Sequence, residues 1–349
     1  MEPDQLEALK ERLRDIARAA YDSRAPFKSI SSERHRQILG RAIRNVLSTE
    51  LAQFTYAQII DGLPIADVAW DRRLPGIMGE HIINDHETLC PGALEKAHEF
   101  YEEWDPSSLK FDPETLKAFQ IAEPGSKSFN MRLVELVAVS LHQIAVWLHK
   151  LEPHLHQGDI DAVTYWEMPL SDTMARFSPG PTLFSHHDYL DDDIYPEGVA
   201  DMVGYWAEDC ILGGVTVFDR RPEIPDDIPN IYFHPCRKSQ TIRVYQLQDE
   251  QQQALFDFLL RRSRDYYHRL CQFLATSRIA DIWERRPLTI IEMRIFDRRP
   301  KDEPDYPEVG DMIRRINAQG GIPLPQPRPR SLSPPMREDA EEKTYRDRD

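Results

Sequence analysis

Apolar residues recur at helical spacing from the start of the chain: Leu6, Leu9, Leu13 and Ile16 form one stripe among charged neighbours. That period predicts an amphipathic helix over residues 1–20. Ser32 followed by Glu33 reads as an N-cap, and Ile38, Ala42, Ile43 and Val46 continue a second helix. Between Asp61 and Pro113 glycine and proline interrupt any steady period, which predicts loops and short helices wrapped around a core. From Leu116 the pattern changes. LKAFQIAEP reads as a short strand, PGSKSFN as a polar turn, and RLVELVAVSLHQIAVWLHKL as a long, strongly apolar helix. Strand, small-residue loop and buried helix is how a nucleotide-type α/β unit opens.

Further strands are predicted at AVTYWEM, DMVGYWAE, GGVTVFDR, NIYFHP and TIRVYQL. Helices follow at Glu250 to Tyr267 and across LCQFL, and LTIIEMRIF reads as a closing strand. The expected fold class is therefore α/β. A helical and loop region (1–112) precedes an α/β catalytic core (113–319), and 320–349 forms a tail. The tail, with PLPQPRPRSLSPP and a mixed-charge end, buries too little apolar surface to order itself. FDRRP occurs twice (Phe218 to Pro222, Phe296 to Pro300), but the flanks differ, so it marks no internal repeat.

Composition narrows the class. With 349 residues, 41% of them apolar, and six tryptophans, the chain has material for a sizeable core. The charged N-terminus carries no apolar secretory segment, and the longest apolar stretch, Leu133 to Leu148, is interrupted by Glu135, His142 and Gln143. A cytoplasmic protein without a membrane partner is expected. Cys90, Cys210, Cys236 and Cys271 form no CxxC pair, so their spacing indicates neither a zinc site nor a disulfide framework. A net charge of −16 argues against bulk affinity for nucleic acid. Arginines nonetheless cluster at Arg34, Arg36, Arg41 and Arg44, and at Arg261, Arg262, Arg264 and Arg269. The ordinary role of such clusters is a solvated helix face.

Four constellations could carry chemistry. His186-His187-Asp188 contains an HxD triplet, His234 follows in a strand-like segment, and Arg243 lies in the next one. Two histidines and a carboxylate suit Fe(II) with open positions, and Arg243 could clamp the distal carboxylate of 2-oxoglutarate. This spacing resembles the Fe(II)/2-oxoglutarate dioxygenases and implies a closed antiparallel barrel around His186 and His234. The competing role for these histidines is a loop pair and a hydrogen-bonded core residue. Second, Ser126 and Ser128 precede the long helix, where its unpaired N–H groups favour developing negative charge. Either could accept an acyl group, with Glu167 as acid or base, or could simply cap the helix. Third, Asp191, Asp192, Asp193, Glu208 and Asp209 suit a guanidinium or ammonium group, with Glu208 ending the segment VGYWAE beside Tyr205. Fourth, His268 and Cys271 lie three apart on a helix that is mainly core.

YPEGVADMVGYWAEDCILGGVTVFDRR, SKSFNMRLVELVAVSLHQIA and the IYFHP…RVYQLQDEQ…LFDFLL run resemble a family of filamentous-fungal proteins associated with specialised metabolism. The activity attached to that resemblance is that of the fungal arginine-containing cyclodipeptide synthases. It implies an aminoacyl-tRNA-synthetase-like α/β fold, aminoacyl-tRNA as partner and no cofactor. Ser126 or Ser128 would hold the first aminoacyl group, and Glu167 or Glu208 would manage protons or recognise arginine. Tyr205 and Asp209 would contact substrate, and Arg34, Arg41, Arg261 and Arg264 would face tRNA phosphates. The remaining reading is a pathway-accessory protein whose VGYWAE segment and acidic runs form a binding surface.

Overall fold

A computed structural model describes residues 3–71, 80–167, 180–218, 230–236, 244–247 and 249–261. Helix α1 (Pro3–Asp22) leads into strand β1 (Ala25–Pro26), followed by α2 (Glu33–Leu47), α3 (Glu50–Asp61), α4 (Ala66–Asp71) and α5 (Ala93–Glu103). Strand β2 (Lys110–Phe111) precedes α6 (Pro113–Ile121), α7 (Lys127–His149), α8 (Ile160–Thr164) and α9 (Val199–Leu212). Strands β3 (Val215–Phe218), β4 (Ile231–His234) and β5 (Tyr245–Gln246) and helix α10 (Asp249–Leu259) complete the described order.

The caps follow from side-chain chemistry. Ser32 accepts from the His35 N–H at the start of α2, and Thr49 does the same for Ala52 N–H at the start of α3. Asp112 and Asp159 cap α6 and α8 in the same way. Helix α7 is the axis of the molecule. It packs along α9 and also meets α2, α3 and α6. By length and composition it could cross a membrane, but here most of its apolar residues from Phe129 to Leu148 are buried in the core, with Trp147 exposed. Inside that core Arg132 and Glu135 neutralise each other at 2.8 Å.

Tyr56, Phe111, Phe119, Phe129, Phe184, Trp206 and Phe233 are all essentially inaccessible to solvent. Each large apolar side chain removed from water stabilises the fold by about 1.5–3 kcal/mol before entropy is subtracted. Residues from Ile38 to Phe111 share one cluster with residues from Leu116 to Leu259, so the core runs across the boundary expected at 112/113.

All strand pairing among the described residues is antiparallel. β1 pairs with β2, and β3-β4-β5 form a three-stranded sheet in which Val215 faces His234 and Phe218 faces Ile231. The strands read at GGVTVFDR and NIYFHP are present, and TIRVYQL contributes β5. Three other expectations are corrected. LKAFQIAEP lies mostly in α6, AVTYWEM begins within α8, and DMVGYWAE lies in α9. Short apolar runs do not distinguish a buried strand from a buried helix, and α9 is buried on nearly every side. With those segments helical, the described residues are mainly α-helical and contain neither the parallel α/β sheet nor the closed barrel. LTIIEMRIF, the LCQFL helix and the expected tail lie outside the described residues.

Candidate metal centre

The loop before α9 and the end of β4 meet in one buried cluster. His186 is inaccessible to solvent, as His234 nearly is, and the Asp188 carboxylate is 2% exposed. Their imidazole nitrogens and carboxylate oxygen lie within 4.8 Å of one another. Asp188 Oδ2 is 3.0 Å from His234 Nε2, 2.8 Å from His187 Nε2 and 4.0 Å from His186 Nδ1. Asp188 Oδ2 and His234 Nε2 are both buried and make no well-aligned hydrogen bond, although Asp188 Oδ2 pairs electrostatically with His187 and His234. These atoms converge on a shared point rather than aligning on each other. A buried polar atom left in this way is costly, and a bound ion is one of the few things that resolve it.

The supporting shell orients the ligands. His186 Nε2–H donates to the His234 carbonyl at 3.0 Å, leaving Nδ1 unprotonated on the carboxylate side. The Asp188 N–H donates to that nitrogen at 3.2 Å, a bond that a cation at Nδ1 would displace, and the Tyr189 hydroxyl lies 3.2 Å from His234 Nδ1. Cys236 Sγ sits 2.8 Å from His187 Nδ1, while Asp209 Oδ1 accepts from the Cys236 N–H at 3.2 Å. The β3–β4 hairpin thus holds His234, and α9 anchors the chain just beyond it through Asp209.

Electrostatics divide the cluster. Burial opposes charge on His186, as do His234 and His187 beside it, so its pKa lies well below the usual histidine range. Burial also opposes charge on Asp188, but His187 and His234 outweigh it and hold the carboxylate ionised. His187 is pushed up to about 10: burial works against its charge, and Asp188 and Cys236 more than offset that. An ionised carboxylate beside an imidazole kept neutral is the ligand state a divalent cation requires.

A file of aromatic rings leads away from the cluster. Tyr189 meets the His234 ring at 5.6 Å and stacks on Tyr205 at 4.6 Å, and Tyr205 meets His142 at 4.6 Å. His142 pairs with Asp201 at 2.9 Å, and both line a cavity of about 800 Å³ walled by Phe100, Trp104 and Trp147. No cluster residue lines that cavity, so the two features touch only through the tyrosines.

The other expected site residues are dispersed. Ser126 caps α7 by accepting from the Phe129 N–H at 3.2 Å, and Ser128 is exposed in the first turn. Glu167 is exposed beyond α8. Glu208 is buried in α9, where Oε1 accepts from the Thr216 N–H at 2.6 Å; burial raises its pKa. Arg34 is exposed and Arg41 half-buried on α2. Arg261, after α10, sits over the Phe258 ring. Asp193 is engaged by Lys10 at 2.7 Å. Arg243, Arg264, His268 and Cys271 lie outside the described residues. The spacing pointed to His186, Asp188 and His234 but missed His187, Tyr189 and Cys236, because nothing local marks a thiol or phenol as part of a distant histidine's surroundings. No protein-family model, no curated protein and no solved structure matches the chain.

Proposed function

We propose that the chain is a mononuclear non-haem iron enzyme with His186, Asp188 and His234 as its protein ligands. The observation that carries this reading is the convergence of two imidazoles and one ionised carboxylate, with ligating atoms within 4.8 Å of one another, in a buried cluster. Two histidines and one carboxylate leave positions open, which favours Fe(II) and dioxygen chemistry over a closed structural site. The thiol of Cys236 is turned to His187 rather than completing a four-ligand set with the triad.

Iron held by these three residues would supply electrons to dioxygen and a binding position for a 2-oxo acid. With 2-oxoglutarate the balance is substrate C–H, 2-oxoglutarate and dioxygen to substrate C–OH, succinate and carbon dioxide. The chain's own part is preparatory. The His234 carbonyl fixes the His186 tautomer, Tyr189 orients His234, and the tyrosine stack keeps bulk water from one side. Arg243 is the candidate anchor for the 2-oxo acid's distal carboxylate.

Anaerobic titration with Fe(II) tests the reading. The wild-type chain is expected to bind about one Fe(II), and His186→Ala combined with His234→Ala should abolish binding and any iron-dependent 2-oxoglutarate turnover. Equal binding by a folded variant would remove the proposal.

A second reading, tRNA-dependent cyclodipeptide synthesis, draws on the resemblance and on Glu208, a buried acid whose raised pKa suits proton transfer. It expects a cyclic dipeptide from charged tRNAs and its loss when Ser126→Ala and Ser128→Ala are combined. As a cap alone, Ser126→Ala costs about 1 kcal/mol of stability and leaves product formation intact.

A further inference from the structure

A second cluster of ligating side chains lies where the end of α3 meets two loop segments. Asp61, the last residue of α3, is inaccessible to solvent. His86 closes the short helical turn at 82–85, Cys90 lies just before α5, and His156 lies between α7 and α8. Their side chains place one ligating atom each within 4.8 Å of the others. His86 Nε2 is 3.2 Å from Asp61 Oδ2, and Cys90 Sγ is 3.5 Å from His156 Nδ1. Bonds of about 2.0–2.3 Å in a tetrahedral site put neighbouring ligand atoms roughly 3.3–3.8 Å apart. The spacings of 3.2 and 3.5 Å, which also admit a His86–Asp61 ion pair and a Cys90–His156 hydrogen bond, fall close to that range.

The buried Asp61 carboxylate points to a cation, and backbone bonds hold the ligand-bearing segments together around it. Asp61 Oδ1 and His86 Nε2 are buried without a hydrogen-bond partner. In addition, the backbone is tied to the same point from three directions. The Cys90 N–H donates to Asp61 Oδ2 at 3.0 Å, the His156 N–H to the Asp61 carbonyl at 2.8 Å, and the Leu155 N–H to the Ile60 carbonyl at 3.1 Å. Gly62 permits the approach: its φ is 105°, and a Cβ there would stand 2.9 Å from that of His154. A buried carboxylate needs a compensating charge, which a cation held among these four side chains would supply.

We propose that Asp61, His86, Cys90 and His156 bind a structural zinc ion that staples the C-terminal end of α3 to the segments around 86–90 and 154–156. One thiolate, two imidazoles and one carboxylate are borderline-soft donors that suit zinc over magnesium, calcium or manganese. Four protein ligands leave no open position, so the site holds structure and performs no chemistry. The absence of a CxxC pair is no obstacle, because the ligands are assembled by folding from four separated positions. This site stands apart from the His186 cluster and does not depend on its assignment.

The test uses the full chain carrying His186→Ala and His234→Ala, so that the other cluster contributes no metal. After zinc reconstitution and desalting, elemental analysis is expected to find about one zinc per chain. Adding Cys90→Ala and His156→Ala should remove it. Should that variant fail to fold, cobalt(II) loaded into the parent chain gives a second readout: intense tetrahedral d–d bands and a thiolate-to-cobalt absorption. Zinc retained by the folded Cys90→Ala, His156→Ala chain would overturn the proposal. So would a parent chain that binds no zinc, or a cobalt spectrum without thiolate absorption.

Discussion

His186 and His187 are adjacent in sequence yet held in opposite ionisation states. His186 is enclosed, faces other imidazoles and stays neutral, whereas His187 lies against the Asp188 carboxylate and the Cys236 sulfur and stays protonated. Environment, not residue type, decides which of the two carries charge. The same reasoning applies to His149 at the end of α7, whose pKa falls to about 4 through burial, aided by His154 and Lys150. Its folded value lies below its unfolded value of 6.5, so the unfolded chain binds more protons between them. Stability is therefore fully present above pH 6.5 and is lost as pH falls through about 4, by roughly 2–3 kcal/mol. Chemical denaturation across that range should show a shallower loss in His149→Gln than in the wild type. Identical pH profiles would mean His149 is not the group that titrates.

At the scale of elements, α9 explains most of the difference between pattern and fold. Its residues from Ala200 to Leu212 are buried apart from Tyr205, so neither face reads as polar and no period separates helix from strand. Packing against α7 requires the close approach at Gly204. A Cβ there would stand 2.5–2.6 Å from ring atoms of His142, and that ring is held by Asp201 at 2.9 Å. Alanine for glycine within a helix ordinarily stabilises by about 1 kcal/mol. Here the clash is with a tethered ring, and overpacking of this kind costs about 1–3 kcal/mol. Gly204→Ala should consequently lower the urea midpoint and disturb the His142–Tyr205 contact. An unchanged or raised midpoint would show that the ring moves aside freely.

For the molecule as a whole, the described helices share a large core, and the candidate ligating groups lie in loops, at the end of α3 and in β4. Loop backbone held only by local hydrogen bonds is poorly fixed, and a cation drawing on separate segments constrains it by closing long loops. The two clusters would serve this end differently. One has open positions and an aromatic route toward a cavity, and the other joins four ligands around a buried aspartate.

Local signals were legible in the sequence where a period or a cap is self-contained. The stripe at Leu6, Leu9, Leu13 and Ile16, the Ser32 cap, the apolar run of α7 and the strands β3 and β4 all read correctly. The HxD triplet and His234, singled out by residue type and spacing, do come together in the fold. What only the tertiary structure decided is which apolar runs became helices and which distant side chains meet. Cys90 and His156 lie 66 positions apart, and His187 and Cys236 lie 49 apart. Periodicity records the preference of each segment for its own backbone hydrogen bonds, whereas convergence depends on how the segments pack, and packing is set by the shape of the whole core.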